Sequence, residues 1–598
     1  MKRNFTVLFL VILLASWFLF SLSVCTVRAS GTVYIRGDGR VDPPAAPMAT
    51  VNNVTYVFTG GISDHVIIER DDIVVDGAGN TLQGLGSDNG MLLVGRNNVT
   101  IKHVTIRAFD IGILLMSSSN IGIIDNEITD NNHGIKVVNS SDSNIFRNHI
   151  YGNNGNGIDL SQSPNSSIHQ NNVTANAWVG IKLEGSFSSN TQIVDNSVTA
   201  NGQSGIWLTD LSANNSVLGN NATANSAVGI WVYNSSSNIL TNNDVANNAD
   251  GIYLMSSSNN TLSGNEMERN RYNFGIYGTD LSTFMHSVDT SNVVEGKPVY
   301  YFTNQSNIMI SPEGYPEVGY LGFANCANIT ALGLDLTDNV QGVLLAFTNN
   351  SRITANRLAH NGAGIYLWSS ANNTLTGNNL ANNDYGVILV YSSDNRILSN
   401  SLMNNPTQAL NEDCHNIWND GYPSGGNYWS DYNGTDSDHD GVGDSPYTID
   451  ANNSDEHPLM GMFNSFNAAP EHDIQTVCNS TISTFSFNFN DTTISFNVSG
   501  QTGTAGFCRI CVPTALMNDT YKVFVNGTEV TYTTLPLSDS THTYLYFTYT
   551  HSTQKVTVVP ELPSPLIIPL LMMATLLALM AYRRKRSRPL ATRLAIHS

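Results

Sequence analysis

A glycine, an alternating aliphatic strand and a run of serine and asparagine recur along the chain. "DGIYLMSSSNNTLSGNEM" (Asp250 to Met267), "VGIWVYNSSSNIL" from Val228 and "AGIYLWSSANNTL" from Ala363 show the pattern. Strand-opening glycines stand at Gly90, Gly112, Gly134, Gly157, Gly180, Gly205, Gly229, Gly251 and Gly275. The register continues through Gly296 and Gly319 to Gly342, Gly364 and Gly386, in steps of 21 to 25 residues. Such a period marks stacked supersecondary units. The return segments are rich in Gly, Asn and Ser, which are poor in helix interiors, and carry no 3.6-residue apolar pattern. Three short strands and three corners per unit predict a single-stranded right-handed parallel β-helix, an all-β solenoid whose interior rungs pair above and below.

Alternation assigns the faces. Residues one and three after each glycine are aliphatic, such as Ile206 with Leu208 and Ile252 with Leu254, and point inward. A one-residue slip would expose a whole column, so the register is strongly specified. Corner asparagines tolerate left-handed backbone and can stack as amide ladders. The second position after the glycine points outward. There, four consecutive rungs present Trp207, Trp231, Tyr253 and Tyr277, and Tyr233, Tyr366 and Trp368 add aromatics on outward positions. Exposed aromatic rings suit the C–H faces of pyranose sugars; the competing readings are a covering loop or subunit, or simple strand preference. Lys136, Asp159, Lys182 and Glu184 lie close by, as a salt ladder or as contacts to an acidic sugar.

The two ends add a topology. A long apolar run after Lys2 and Arg3, closing with "VRA" at Val27 to Ala29, reads as a signal peptide over 1–29. Residues 30–89 read as an N-terminal cap and entry strands, 90–405 as the repeats, and 406–468 as a C-terminal cap. Residues 469–560 carry alternating strands and the "NGTE" hairpin at Asn526, which predicts a membrane-proximal β-sandwich. Leu562 to Tyr582 is uncharged for 21 residues and precedes the basic tail 583–598. These features predict a single-pass membrane helix with a large extracellular N-terminal region. The net charge of -21, with basic residues concentrated at Arg583 to Arg588, argues against nucleic acid. About twenty Asn-x-Ser/Thr sequons, among them Asn165, Asn234 and Asn526, offer glycosylation sites in that region.

Candidate chemistry is sparse. In "DSDHDGVGD", Asp436, Asp438, Asp440 and Asp444 occupy positions 1, 3, 5 and 9 of a calcium-type loop, with Gly441 at the turn. Tyr447 stands where a helix-hand site places Glu, so the expectation is a short structural Ca²⁺ loop. After loss of the leader, Cys326, Cys414, Cys478, Cys508 and Cys511 remain; a disulfide from Cys478 to Cys508 or Cys511 is expected. No carboxylate pair for glycoside hydrolysis stands out from the spacing. Lys136, Lys182 and Asp159 are weak candidates for elimination from a uronate, and no catalytic residue is nominated.

The repeated "GIYL–SSSNNT–GN" units, "EGKPVYYFTNQSN" at Glu295 to Asn307 and "NYWSDYNGTDSDHDGVGDSPY" at Asn427 to Tyr447 resemble archaeal cell-surface proteins. These carry NosD-like or carbohydrate-binding and sugar-hydrolase parallel β-helix repeats. The resemblance covers most of residues 50–460. It implies a right-handed β-helix on the cell surface and interaction with carbohydrate. The nitrous-oxide-reductase maturation relative implies copper handling, but no Cys/His/Met cluster is evident, and the Gly-His-Gly pattern of polygalacturonases is missing. The leading expectation is a membrane-anchored glycan-binding or adhesive protein whose partner is an extracellular or cell-wall polysaccharide or glycoprotein, with lateral self-association possible. A polysaccharide lyase or glycoside hydrolase is second, and a structural envelope protein third.

Overall fold

The computed structural model describes residues 31–470, 472–517, 520–536, 538–561 and 564–586. The expected signal peptide falls outside the described residues. The chain divides into two units, Met1–Arg396 with Leu402–Asn416, and Ile397–Ser401 with Ile417–Ser598.

The first unit is a solenoid. Its first arm lays one strand per rung into each of three sheets. Sheet I runs through His133–Val138, Ile158–Ser161, Ile181–Glu184, Ile206–Thr209, Val228–Tyr233 and Asp250–Met255 to Tyr272–Tyr277. Pairing is parallel and in step: Ile135, Ile158, Ile181, Ile206, Ile230 and Ile252 face one another in turn, all fully buried. The strand-opening glycines are required by crowding. A Cβ on Gly229 would lie 2.3 Å from Val245 Cγ1, and one on Gly112 2.7 Å from the Gly134 carbonyl oxygen. Left-handed corners fall instead to residues such as Asn98, Asn165, Asn214 and Asn259, with φ between 52° and 58°.

A second class of asparagine is buried. The amides of Asn126, Asn148, Asn171, Asn196, Asn220, Asn243, Asn265 and Asn292 form a continuous ladder. Each Nδ2 donates to the next Oδ1 at 2.7–3.1 Å. Each also satisfies backbone groups; Asn220, for example, donates to the Ile193 carbonyl and accepts from Asn196 N–H. Polar side chains thus replace water where the corners are too tight for the backbone to pair with itself.

The register expected through Gly275, Gly296 and Gly319 breaks at this point. Phe274 pairs with Ile252 and Gly275 with Tyr253, so Asn273 takes the place of the glycine column. Gly296 (φ 75°) is the turn of an antiparallel hairpin joining Val293–Val294 to Lys297–Thr303. Leu321, two residues after Gly319, pairs with Val343, one after Gly342. From that hairpin a second arm rises through Tyr320–Ala324, Gln341–Ala346, Ala363–Trp368 and Tyr385–Val390 to Thr407–Glu412.

The second arm closes the last rung of sheet I. Asn273 N–H donates to the Asp338 carbonyl and Val340 N–H to the Phe274 carbonyl. The Gln341 amide imitates a further strand, donating to Ile276 O at 3.0 Å and accepting from Ile276 N–H at 3.3 Å. Asp384 accepts from Arg271 at 3.1 Å and from the Tyr272 hydroxyl at 2.6 Å.

In the second unit, two five-stranded antiparallel sheets enclose a core that includes Ile474, Phe496, Ile510, Leu545 and Val558. Cys478 is disulfide-bonded to Cys508 across neighbouring strands. Cys511 is three residues further along one extended strand, hence on the opposite sheet face. Burial pushes its thiol above the ordinary value. "CRIC" is therefore not a redox pair in this geometry.

The membrane topology and the location derived from it are corrected. Among the described residues, no helix is long and apolar enough to cross a membrane. The helix Ser564–Arg586 lies in the expected region.

Candidate functional site

One outward column of sheet I departs from the aliphatic and polar background. Leu114, Lys136, Asp159, Lys182, Trp207, Trp231 and Tyr253 are directly paired from rung to rung. Strand alternation turns all of them to the same side. Three ionic rungs therefore run straight into three aromatic ones.

The aromatic part does not form the open platform that the sequence suggests. Trp207 and Trp231 stack on each other, with centroids 4.7 Å apart and planes within 5°. Parallel rungs at about 4.8 Å bring identical flat side chains face to face, so the faces a sugar would cover are turned on one another. Lys182 Nζ takes the outer face of Trp207, 5.4 Å from a ring centroid. Both indole Nε1 atoms are buried without a hydrogen-bond partner among the described residues.

Tyr277 does not continue the ladder. It pairs with Met255 rather than Tyr253 and stacks against Tyr366 of the second arm at 6.3 Å. Tyr366 and Trp368, read as outward aromatics, are 4% and 5% exposed; Trp368 Nε1 donates to the Thr279 carbonyl. For these three rings, the covering is another part of the same chain. Burial raises the phenols of Tyr253, Tyr320 and Tyr366. In this column Leu114, Lys136, Lys182, Trp207, Trp231 and Tyr253 are half-buried and Asp159 is buried.

The ionic part is less solvated than a surface salt ladder. Asp159 is 6% exposed. Its Oδ2 accepts from Asn156 Nδ2 at 3.2 Å, and its Oδ1 has no hydrogen-bond partner among the described residues. Burial raises this carboxyl above the usual range, with Lys182 and Lys136 pulling the other way. Lys182 reaches along its own strand to pair with Glu184. His133, three residues before Lys136 on the same strand, accepts from Asn156 N–H through Nδ1; burial first, then the Lys136 charge, lower its proton affinity.

Two exposed aromatics flank the same rung. Trp178, at the corner before Ile181–Glu184, is 55% exposed, and Phe187, at the corner after it, is 68% exposed. Sequence alternation does not select them, because they lie on corners rather than strands. Their signal is a large ring in a segment otherwise built of Gly, Ala, Ser and Asn.

In the second unit, Asp436, Asp438 and Asp440 bring carboxylate oxygens within 4.8 Å of one another. Asp444 does not join them; its Oδ2 accepts from Thr435 and twice from Ser437. Asp436 accepts from the backbone N–H groups of Asp440 and Gly441, and burial raises its carboxyl. Asp440 is buried, and the Arg509 guanidinium donates to its carbonyl oxygen at 3.4 Å.

The parallel register and Asn ladders define a right-handed parallel β-helix, and residues 64–222 match the model described as "Right handed beta helix region". Residues 179–314 and 317–434 match the model described as "Periplasmic copper-binding protein (NosD)", so that part of the chain is similar to this family. No curated protein matches the sequence at significance. Among solved structures it is similar to a mutant of the periplasmic alginate epimerase AlgG, at 18% identity and TM-score 0.28, over 53% of this chain and 81% of that one. It is also similar to the Azotobacter vinelandii mannuronan C-5 epimerase AlgE6 A-module, at 12% identity and TM-score 0.31, over 65% and 91% of the two chains. The Dettilon tailspike protein gives 12% identity and TM-score 0.29 over 90% and 97%.

Proposed function

We propose that the outer face of sheet I, from Lys136 to Trp231, binds a polysaccharide bearing anionic groups. The observation that carries this reading is the single register column in which Lys136, Asp159 and Lys182 lead into the Trp207–Trp231 pair. The lysines supply charge for a carboxylate or sulfate, while Trp178 and Phe187 offer ring faces that the stacked pair does not. Affinity electrophoresis through gels containing polygalacturonate, alginate or a neutral glucan tests this. Binding to an anionic polymer that weakens with salt is expected, falling at least about tenfold in a Lys136→Ala/Lys182→Ala variant. Equal retardation by neutral glucan, or none by any polymer, would sink the reading.

The printed family description raises copper. Among the described residues, the convergent His, Cys, Asp or Glu group is Asp436, Asp438 and Asp440. Three carboxylates are hard oxygen donors, suited to Ca²⁺ or Mg²⁺ rather than to copper. We therefore propose a structural Ca²⁺ site in that loop, held by these three residues, with Asp444 ordering the backbone beside it.

A further inference from the structure

We propose that the C-terminal sandwich carries a second binding site, a polar pocket that takes a short neutral saccharide. It lies beyond the residues that match either family model and is independent of the sheet I reading. The strand ladder opens it. Met462–Ala469 pairs with His472–Cys478 as far as Ala469 and His472, and Ala505–Pro513 pairs with His542–Thr550 as far as Pro513 and His542. Between these two strand pairs the register runs from Cys478–Cys508 to Gln475–Cys511, and among the described residues it goes no further. The sheet parts there and leaves a cavity of about 680 Å³, within the roughly 300–1,000 Å³ of small-molecule sites.

Its side chains are placed for hydroxyl groups. Asp473 is exposed, and its Oδ1 accepts from Asn467 Nδ2 and its Oδ2 from Ser465 Oγ, both at 3.1 Å. Those bonds orient the carboxylate, and a second lone pair on each oxygen remains for a ligand. Thr541 gives its hydroxyl proton to Asp539. The neutral His542 ring therefore donates to Thr541 Oγ1 from Nδ1, at 2.9 Å, and Nε2 is left as an acceptor. The wall that carries His542 is set in advance: Asp539 also accepts from the N–H groups of Thr541 and His542, and Thr514 Oγ1 donates to the Ser540 carbonyl at 2.8 Å. Little remains to be ordered on binding.

The lining selects the ligand. Asp473 is the one carboxylate in it, and it includes no lysine or arginine, so an anionic sugar is disfavoured. Asp473 and His542 Nε2 accept, while the exposed Gln475 amide both donates and accepts. Vicinal hydroxyls, each a donor and an acceptor, match that mixture. Pro513 adds an apolar ring beside them for the C–H face of a pyranose.

Saturation-transfer NMR on the full chain with cellotriose, maltotriose, mannotriose and trigalacturonate tests this. Transfer to at least one neutral trisaccharide is expected. Asp473→Ala and Gln475→Ala should each weaken that sugar at least about tenfold and leave trigalacturonate unchanged. Lys136→Ala/Lys182→Ala should leave the neutral sugar unchanged. Unfolding of the C-terminal unit verifies the fold of the variants; Gln475→Ala remains informative if Asp473→Ala fails to fold. No transfer to any neutral trisaccharide overturns the proposal. So does its loss in the lysine variant, which would put the sugar on sheet I, and so does equal weakening of trigalacturonate by Asp473→Ala. Retardation by neutral glucan that disappears in Asp473→Ala belongs to this pocket, so its failure and that of the sheet I reading are told apart.

Discussion

At the scale of single residues, adjacent asparagines have opposite roles. Asn220 is 1% exposed and ties together three rungs, whereas its neighbour Asn221 starts a strand in solvent. Replacing Asn220 by Ala strands the Asn196 N–H and the Ile193 carbonyl, and should cost about 2–5 kcal/mol. Replacing Asn221 by Ala should stay within about 0.5 kcal/mol. Thermal unfolding of the two variants checks the contrast. His286 is similar in kind: it accepts from Asn260 N–H through Nδ1, donates through Nε2 to the Thr283 carbonyl, and burial lowers its pKa to about 4. Its folded value lies below its unfolded one, so the stability it contributes is present above about pH 6.5 and is lost as pH falls toward 4, by roughly 3 kcal/mol. Asp455 has the reverse sign. Burial, opposed by hydrogen bonds from Asn427, Trp429 and His457, raises it to about 6. Its contribution is present below about pH 4 and is lost as pH rises through 6. His286→Gln and Asp455→Asn should each flatten the corresponding arm of a plot of unfolding temperature against pH.

At the scale of elements, the rung was legible in the sequence and the interruption was not. A glycine followed by inward Ile and Leu specifies a strand because a slip exposes a column. Gly229→Ala should lower the unfolding temperature through about 1–3 kcal/mol of overpacking, because its Cβ would meet Val245 and the Asn248 amide. "FGIYGT" repeats the same letters after Asn273, yet Phe274 supplies the core residue that Ile252 supplies one rung below, and the glycine moves outward. No local pattern announces that shift, since Gly275 faces Val340 of the second arm, a contact 65 residues away. The candidate site shows the same limit. Alternation found the column of Lys182 and Trp207, but the faces of the tryptophans are hidden by a 4.7 Å stacking distance that only three-dimensional register reveals. In the Asp-rich loop, spacing nominated four ligands and folding converges three. Isothermal titration should show Ca²⁺ binding that Asp438→Ala weakens at least about tenfold and Asp444→Ala weakens less; equal loss in both would assign Asp444 to the ion.

At the scale of the whole molecule, the two units should unfold as separable calorimetric transitions, because each encloses its own buried cluster. The His286 contribution belongs to the solenoid and that of Asp455 to the C-terminal unit. Comparing pH 7 with pH 4 in the wild type and the two variants should therefore isolate shifts of opposite sign in the two transitions. Opening the Arg271–Tyr272–Asp384 clasp with Asp384→Ala should lower the solenoid transition while leaving the other in place.

The Gln341 amide, seated on the peptide of Ile276, has a further consequence. A solenoid whose last rung exposes its N–H and C=O groups is a template, and identical chains could add to it end on end as they do in a fibril. Here a side chain fills the place of the incoming strand. The first arm ends in a stop, and its length is counted out within one chain instead of growing by polymerisation.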